Sequence, residues 1–162
     1  MNFSPEWLEK LGDPRAAAAR AESLQNLADS YAHFCRGYEE DPQNIILGGR
    51  MAATHAAGQE VTVAPIPFYS LCQHHLLPFF GMVTITYRPR EYILSLGRFP
   101  RLVEALSARL NLQEHLTAAI ADALQQYLQP QTCAVTVEAR HLCLEMRGTQ
   151  TVGAQFITRA ER

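Results

Sequence analysis

Apolar residues recur at Leu24, Leu27, Ala28, Tyr31 and Cys35, three or four apart, which predicts a helix that Gly37 stops. Ahead of it, Asp13-Pro14 has the form of an N-cap followed by proline at the first helical position, after a weakly ordered lead-in over residues 1–13. Cys35 shares the apolar stripe and is expected to be packing. Between Asp41 and Gly58 the pattern is mixed, with His55 alone among alanines and expected at the surface. Val61 to Tyr69 predicts a strand, and Pro65 and Pro67 within it favour an edge position. Val83, Ile85 and Tyr87 alternate with Thr84 and Thr86 as a half-buried strand, for which Tyr92 to Leu96 is the expected return partner across Pro89-Arg90.

Two helical stripes follow. One starts near Pro100 and carries Leu102, Val103, Leu106 and Leu110. The other carries Leu116, Ala119, Ile120, Ala123, Leu124 and Tyr127 and must end before Pro130. Val135, Val137 and Ala139 alternate as a strand. A final strand is expected from His141 to Arg147, and a shorter one through Gln155 to Thr158. Helix, strand, hairpin, two helices, hairpin is the order of an α+β domain whose antiparallel sheet is backed by helices.

At 162 residues the chain suits one well-buried core, and its 48% hydrophobic and 19% charged content is ordinary for a globular domain. A formal net charge of -2 gives no reason to expect a nucleic acid or an anionic membrane surface as partner. Met1-Asn2-Phe3-Ser4-Pro5-Glu6-Trp7 lacks the basic and apolar regions of an export signal, and no apolar run is long enough to span a bilayer. With no such signal, the four cysteines are expected as reduced thiols or metal ligands, and the cytoplasm as the location.

Two clusters carry candidate chemistry. Ser70-Leu71-Cys72-Gln73-His74-His75-Leu76-Leu77-Pro78-Phe79-Phe80-Gly81 places a thiol and two imidazoles within four residues, and His141-Leu142-Cys143-Leu144-Glu145-Met146-Arg147-Gly148 answers it downstream. Together they offer Cys72, His75 and Cys143 as metal ligands, leaving His74 and His141 for proton transfer. Three protein ligands would leave a fourth position for water, as in catalytic zinc sites. If His141 to Arg147 is a strand, His141, Cys143, Glu145 and Arg147 share one face, suited to the floor of an anion pocket, while Leu142, Leu144 and Met146 face the core. On spacing alone, C-x-x-H with a distant H-x-C serves equally a zinc ion or two buried cysteines with solvent-facing histidines.

These two segments resemble the signature segments of GTP cyclohydrolase I. Leu96-Gly97-Arg98 to Val103 and Leu112-Gln113-Glu114-His115-Leu116-Thr117 fall between them in that family's order, so that the resemblance covers residues 37 to 158. It implies the tunnelling fold, with sheets closing into a pentameric barrel and two barrels stacking as a decamer with interfacial active sites. Residues 1–36 would then be lead-in and helix, and 37–162 the catalytic domain. The resemblance further implies Zn2+ on Cys72, His75 and Cys143, supplying hydroxide that attacks C8 of a guanine nucleotide. His74 and His141 would move protons. Glu114 would take N1–H and the exocyclic amine of guanine on its two oxygens, with Gln113 as a further contact. Arg98, Arg101 and Arg147 would hold phosphates, and Cys133 matches nothing and is expected to be packing.

Departures from the family pattern bear on substrate. Gln73 stands where Glu is usual, Gly97 for a Ser, Arg98 for Lys and His115 for Arg. Asn26 and Asp29 fall where Arg and Lys reach the triphosphate, the loop after Gly148 is shorter, and Glu145 adds a carboxylate beside Arg147. Charge-assisted contacts are worth about 1.5–3 kcal/mol each, so losing two would weaken triphosphate binding by orders of magnitude. The resemblance therefore implies purine ring opening more strongly than a triphosphate substrate. The alternatives are the same hydrolysis on a monophosphate, nucleoside or free or modified base, and a non-catalytic purine-binding paralogue. A related reductase of a 7-deazaguanine nitrile fits less well, because its nucleophilic cysteine must stay free of metal.

Overall fold

A computed structural model describes residues 20–56 and 58–162, so the expected lead-in and the Asp13-Pro14 helix start lie outside the described residues. The chain divides into two compact units, Met1–Phe34 and Cys35–Arg162. In the first, helix α1 (Arg20–Phe34) carries part of the predicted stripe: Leu24, Leu27 and Tyr31 are half-buried, while Ala28, expected with them, is exposed like the other residues between them. The helix stops before Cys35, one turn earlier than Gly37.

In the second unit a short 3-10 turn, Arg36–Glu39, leads to helix α2 (Pro42–Leu47). Asp41 caps α2 by accepting from the Gln43 amide at 2.9 Å, and Pro42 occupies the first turn, where its missing N–H costs nothing. Strands β1 (Arg50–Ala52), β2 (Val61–Cys72), β3 (Pro78–Arg88) and β4 (Tyr92–Leu94) follow. His55 lies exposed in the turn after β1. Helix α3 (Arg98–Ser107), the two-residue strand β5 (Leu110–Asn111) and helix α4 (Gln113–Tyr127) come next. Strand β6 (Thr132–His141), the single turn α5 (Leu142–Glu145) and strand β7 (Phe156–Glu161) complete the chain.

The main sheet has the order β5-β2-β3-β6-β7, antiparallel except where β5 meets Leu71 and Cys72 in parallel. Apart from that short contact β2 is an edge strand, as its prolines required, and the register slips between Val63 and Ile66 where Pro65 cannot donate. One face of the sheet is dry. Val83, Ile85, Val135 and Val137 are fully buried under Leu102, Val103, Leu116, Ile120 and Leu124 of α3 and α4. The alternating threonines face the other way, Thr62 and Thr86 sharing a hydrogen bond of 2.9 Å across β2 and β3. Gly81 is required where β3 crosses β6, because a Cβ there would collide with the Glu138 carbonyl oxygen.

Three expectations fail for physical reasons. Leu110, expected on the apolar face of the helix that starts near Pro100, lies beyond the end of α3 at Ser107, where the chain extends as β5 to pair with Leu71. Tyr92–Leu94 does not return on β3 but pairs with β1, Arg50 opposite Leu94 and Ala52 opposite Tyr92. Strand β3 has no free edge, since β2 and β6 hydrogen-bond to it along nearly its whole length. The expected strand His141–Arg147 does not form either. Strand β6 runs unbroken to His141, and Leu142–Glu145 then coils into one helical turn. The expected shared face is lost, for Glu145 is buried and Met146 is exposed. Strand β7 starts at Phe156 and continues past Thr158 to Glu161. Among the described residues, no helix is long and apolar enough to cross a membrane.

Candidate metal centre and active site

The register of β3 on β6 builds the site. Phe79 pairs with His141, so the end of β6 lies beside the start of β3, directly after the turn that follows β2. That turn is closed on Cys72. Its amide donates to the Leu77 carbonyl at 2.9 Å, and its carbonyl accepts from His75 and Leu76 at 3.3 and 2.8 Å. Asn111 secures the outer side, accepting on its backbone carbonyl from Gln73 N–H while its side-chain amide donates to Ser70 Oγ at 3.0 Å. Cys72 is thereby buried at the strand end, with His74 and His75 exposed on the turn.

Cys72, His75 and Cys143 converge. Their donor atoms all lie within 4.8 Å of one another, and Cys72 Sγ stands 3.6 Å from His75 Nδ1. All four cysteines are free thiols. Burial, and then the nearness of Cys72, push the Cys143 thiol above its ordinary range, against a smaller pull from the Arg147 guanidinium. Two sulfurs and an imidazole at this spacing are a donor set that suits zinc. Buried Cys72 and half-buried Cys143 would repel one another as a pair of thiolates, and a cation relieves that repulsion.

His141 sits against this cluster in an aromatic slot. Its ring stacks on Phe79 at 4.6 Å and meets Phe156 edge-on at 5.3 Å. Burial holds the imidazole below its usual range, opposed by the negative charge of Glu114. Gln113 lies behind it, 3% exposed. Its Nε2 donates to the Val137 and Phe156 carbonyls at 3.0 Å each and to Thr158 Oγ1 at 3.1 Å. The nitrogen is thus fixed toward three acceptors, and the amide oxygen must face His141 Nε2, 2.8 Å away. In neutral His141 the hydrogen is therefore on Nε2, and Nδ1 is left to exchange protons.

The remaining sequence candidates separate into two groups. Glu114 is exposed on the first turn of α4 and close enough to act on His141, and Arg147 is exposed and acts electrostatically on Cys143. Arg98 and Arg101, at the start of α3, keep other company. Arg98 donates to the Gly48 carbonyl at 3.3 Å, and Arg101 meets the Glu40 carboxylate at 3.3 Å. Gln113, expected as a substrate contact, has its amide turned inward. Glu145, expected beside Arg147 as an added negative charge, instead accepts from Arg140 Nε at 2.8 Å and Nη2 at 2.6 Å. Those bonds hold its carboxyl below the ordinary range despite burial. Its charge is already matched, so the deficit expected from sequence is smaller by one.

Cys133 is buried in β6 away from these groups, its thiol pushed up to about 11 by burial. Sequence patterns missed the Gln113–His141 contact, the Phe79 and Phe156 walls and the Arg140–Glu145 pair. The aromatic walls depend on the register of three strands, and no local periodicity announces them.

Comparison with known proteins gives a consistent result. The family model described as GTP cyclohydrolase I matches residues 2–162. A GTP cyclohydrolase 1 of Nitrosospira multiformis is 38% identical over 158 residues, covering 94% of this chain and 80% of that protein. A GTP cyclohydrolase 1 of Campylobacter lari is 43% identical over 155 residues, 96% of this chain and 80% of that one. Among solved structures, the apo form of the archaeosine synthase QueF-Like aligns with TM-score 0.51 at 21% identity, covering 63% of this chain and 91% of that one, a likeness of fold.

Proposed function

We propose that this chain, which belongs to the GTP cyclohydrolase I family and has its α+β tunnelling fold, is a zinc-dependent hydrolase that opens the imidazole ring of a guanine nucleotide at C8. The observation that carries the reading is the convergence of Cys72, His75 and Cys143 beside an oriented His141 and an exposed Glu114. When bound by those three side chains, zinc supplies Lewis acidity that makes water nucleophilic at neutral pH. Glu114 takes the N1–H and exocyclic amine of guanine on its two oxygens, an arrangement adenine cannot satisfy. His141, held neutral by its slot, takes up and returns a proton through Nδ1 as water adds at C8 and the C8–N bond breaks. His74, exposed on the turn, serves the opposite proton transfer as the ring nitrogen leaves and formate is released from the formamide. Gln113 acts through His141, fixing its ring and tautomer. With GTP, as in the family, the opened product then rearranges its ribose and closes to 7,8-dihydroneopterin triphosphate.

Arg98, Arg101 and Arg147 are the cations for phosphate. A substrate with fewer phosphates is the second reading. It is favoured by the competing contacts of Arg98 and Arg101 and by the exposed Asn26 and Asp29 on α1, where the family carries cations. Formate release and product mass with GTP, GMP, guanosine and guanine separate the two. A preference for GTP of about a hundredfold or more, some 2.7 kcal/mol, eliminates the second. Absence of formate from every guanine compound with metal-loaded protein leaves a purine-binding paralogue. The assembly we propose is a homo-oligomer of the family's type, a decamer of two pentamers, in the cytoplasm. Among the described residues, β7 and most of β2 have no further strand beside them, which supports sheet-to-sheet closure.

A further inference from the structure

The turn that carries Cys143 should not stand on its own. A single helical turn fixes several backbone dihedrals for one hydrogen bond, so Leu142–Glu145 is unstable unless something outside it holds it. Its N-cap, His141, makes no side-chain capping bond, and at its C-terminal end Met146 N–H donates to the Leu142 carbonyl. Yet this turn has to present a sulfur to within 4.8 Å of two other donors.

The side chains of Arg140 and Glu145 span it from end to end. Arg140 is the penultimate residue of β6, its guanidinium 5.8 Å above the Phe80 ring of the neighbouring strand. Glu145 closes the turn with a side chain 7% exposed, and its two oxygens receive Nε and Nη2 of Arg140 in a forked pair. The planar fork allows little rotation, unlike a point charge. A rigid strand is therefore joined across Cys143 to the far end of the turn that bears it.

We propose that the Arg140–Glu145 pair is a positioning clamp for Cys143, setting the sulfur for metal binding without touching the ion. The proposal rests on the assignment of Cys72, His75 and Cys143 as zinc ligands. Groups that orient metal ligands from behind typically change affinity by about 10–100-fold when removed, and the same range is expected here.

The test is zinc affinity of the full chain, measured by competition with a chromophoric chelator, for wild type, Glu145→Gln, Arg140→Met, Arg140→Lys and the double variant Glu145→Gln/Arg140→Met. Cobalt substitution adds a spectroscopic reading, since thiolate-to-cobalt charge-transfer absorption reports both sulfurs. Glu145→Gln and Arg140→Met are each expected to weaken zinc by about 10–100-fold and to diminish the cobalt–thiolate band. The double variant should be no weaker than the weaker single one, and Arg140→Lys, which retains charge and one bond, should recover part of the loss. Affinities within about threefold of wild type in both single variants overturn the clamp, even if their melting temperatures fall, because the pair would then serve only stability. A wild type that takes up no stoichiometric zinc overturns the ligand assignment, and the clamp with it.

Discussion

Replacing Gln113 by Leu separates a residue that acts through His141 from one that touches substrate. The side chain is buried, and its amide nitrogen serves the Val137 and Phe156 carbonyls and the Thr158 hydroxyl, while its oxygen receives His141 Nε2. Leu fills the volume but satisfies none of these. Thr158 keeps Thr117 as a partner at 2.6 Å, so the loss falls on the two carbonyls and the imidazole. At about 1–3 kcal/mol for an unsatisfied buried group, and with partial relaxation, the variant should lose about 2–4 kcal/mol of stability. For a chain of this size that is a fall of roughly 5–15 °C in melting temperature. Freed from its anchor, His141 can turn in its slot and change tautomer. A positioned general acid–base group contributes about 10²–10⁴-fold, so kcat for formate release should drop by at least tenfold. KM should stay within about threefold of wild type, because no binding contact was removed. Stopped-time assays of formate across a range of GTP concentrations give both constants. A KM raised tenfold or more at unchanged kcat would refute this and make Gln113 a direct substrate contact.

Other outcomes follow from the same structure. Glu114→Ala should raise KM for guanine substrates and lose the discrimination against adenine analogues, at a cost of about 1.5–3 kcal/mol, seen in competitive kinetics. Chelation should abolish formate release and zinc should restore it, while His141→Ala should lose turnover and keep its metal, by elemental analysis. Cys133, with its thiol pushed up to about 11 by burial, should resist iodoacetamide at pH 8 in the folded protein and react after denaturation, by mass spectrometry of peptides. Gly81→Ala should push β3 off β6 and destabilise the fold by more than about 2 kcal/mol, measured by thermal unfolding.

The elements legible in the sequence are those with one wet and one dry face. Val83, Ile85 and Tyr87 alternate because β3 lies against the core, and the stripes of α3 and α4 follow from the same burial. Pro65 marked β2 as an edge because proline cannot complete a ladder on both sides. The failures share a cause of a different kind. Tyr92–Leu94 is too short to choose its partner by pattern, and its pairing with β1 was decided by the occupied edges of β3. His141 to Arg147 alternates like a strand, but the helical turn Leu142–Glu145 brings the Glu145 carboxylate back to the guanidinium of Arg140, five positions earlier. Sequence showed thiols and imidazoles clustered in two places. That the clusters meet depends on Phe79 lying opposite His141, a fact of register.

X-ray absorption at the zinc edge of the purified protein tests the metal centre most directly. The account predicts about one zinc per chain, with two sulfur scatterers near ~2.3 Å and nitrogen or oxygen scatterers near ~2.0–2.1 Å, the sulfur count falling to one in Cys143→Ser. A chain without zinc, or a metal with no sulfur neighbours, would contradict it.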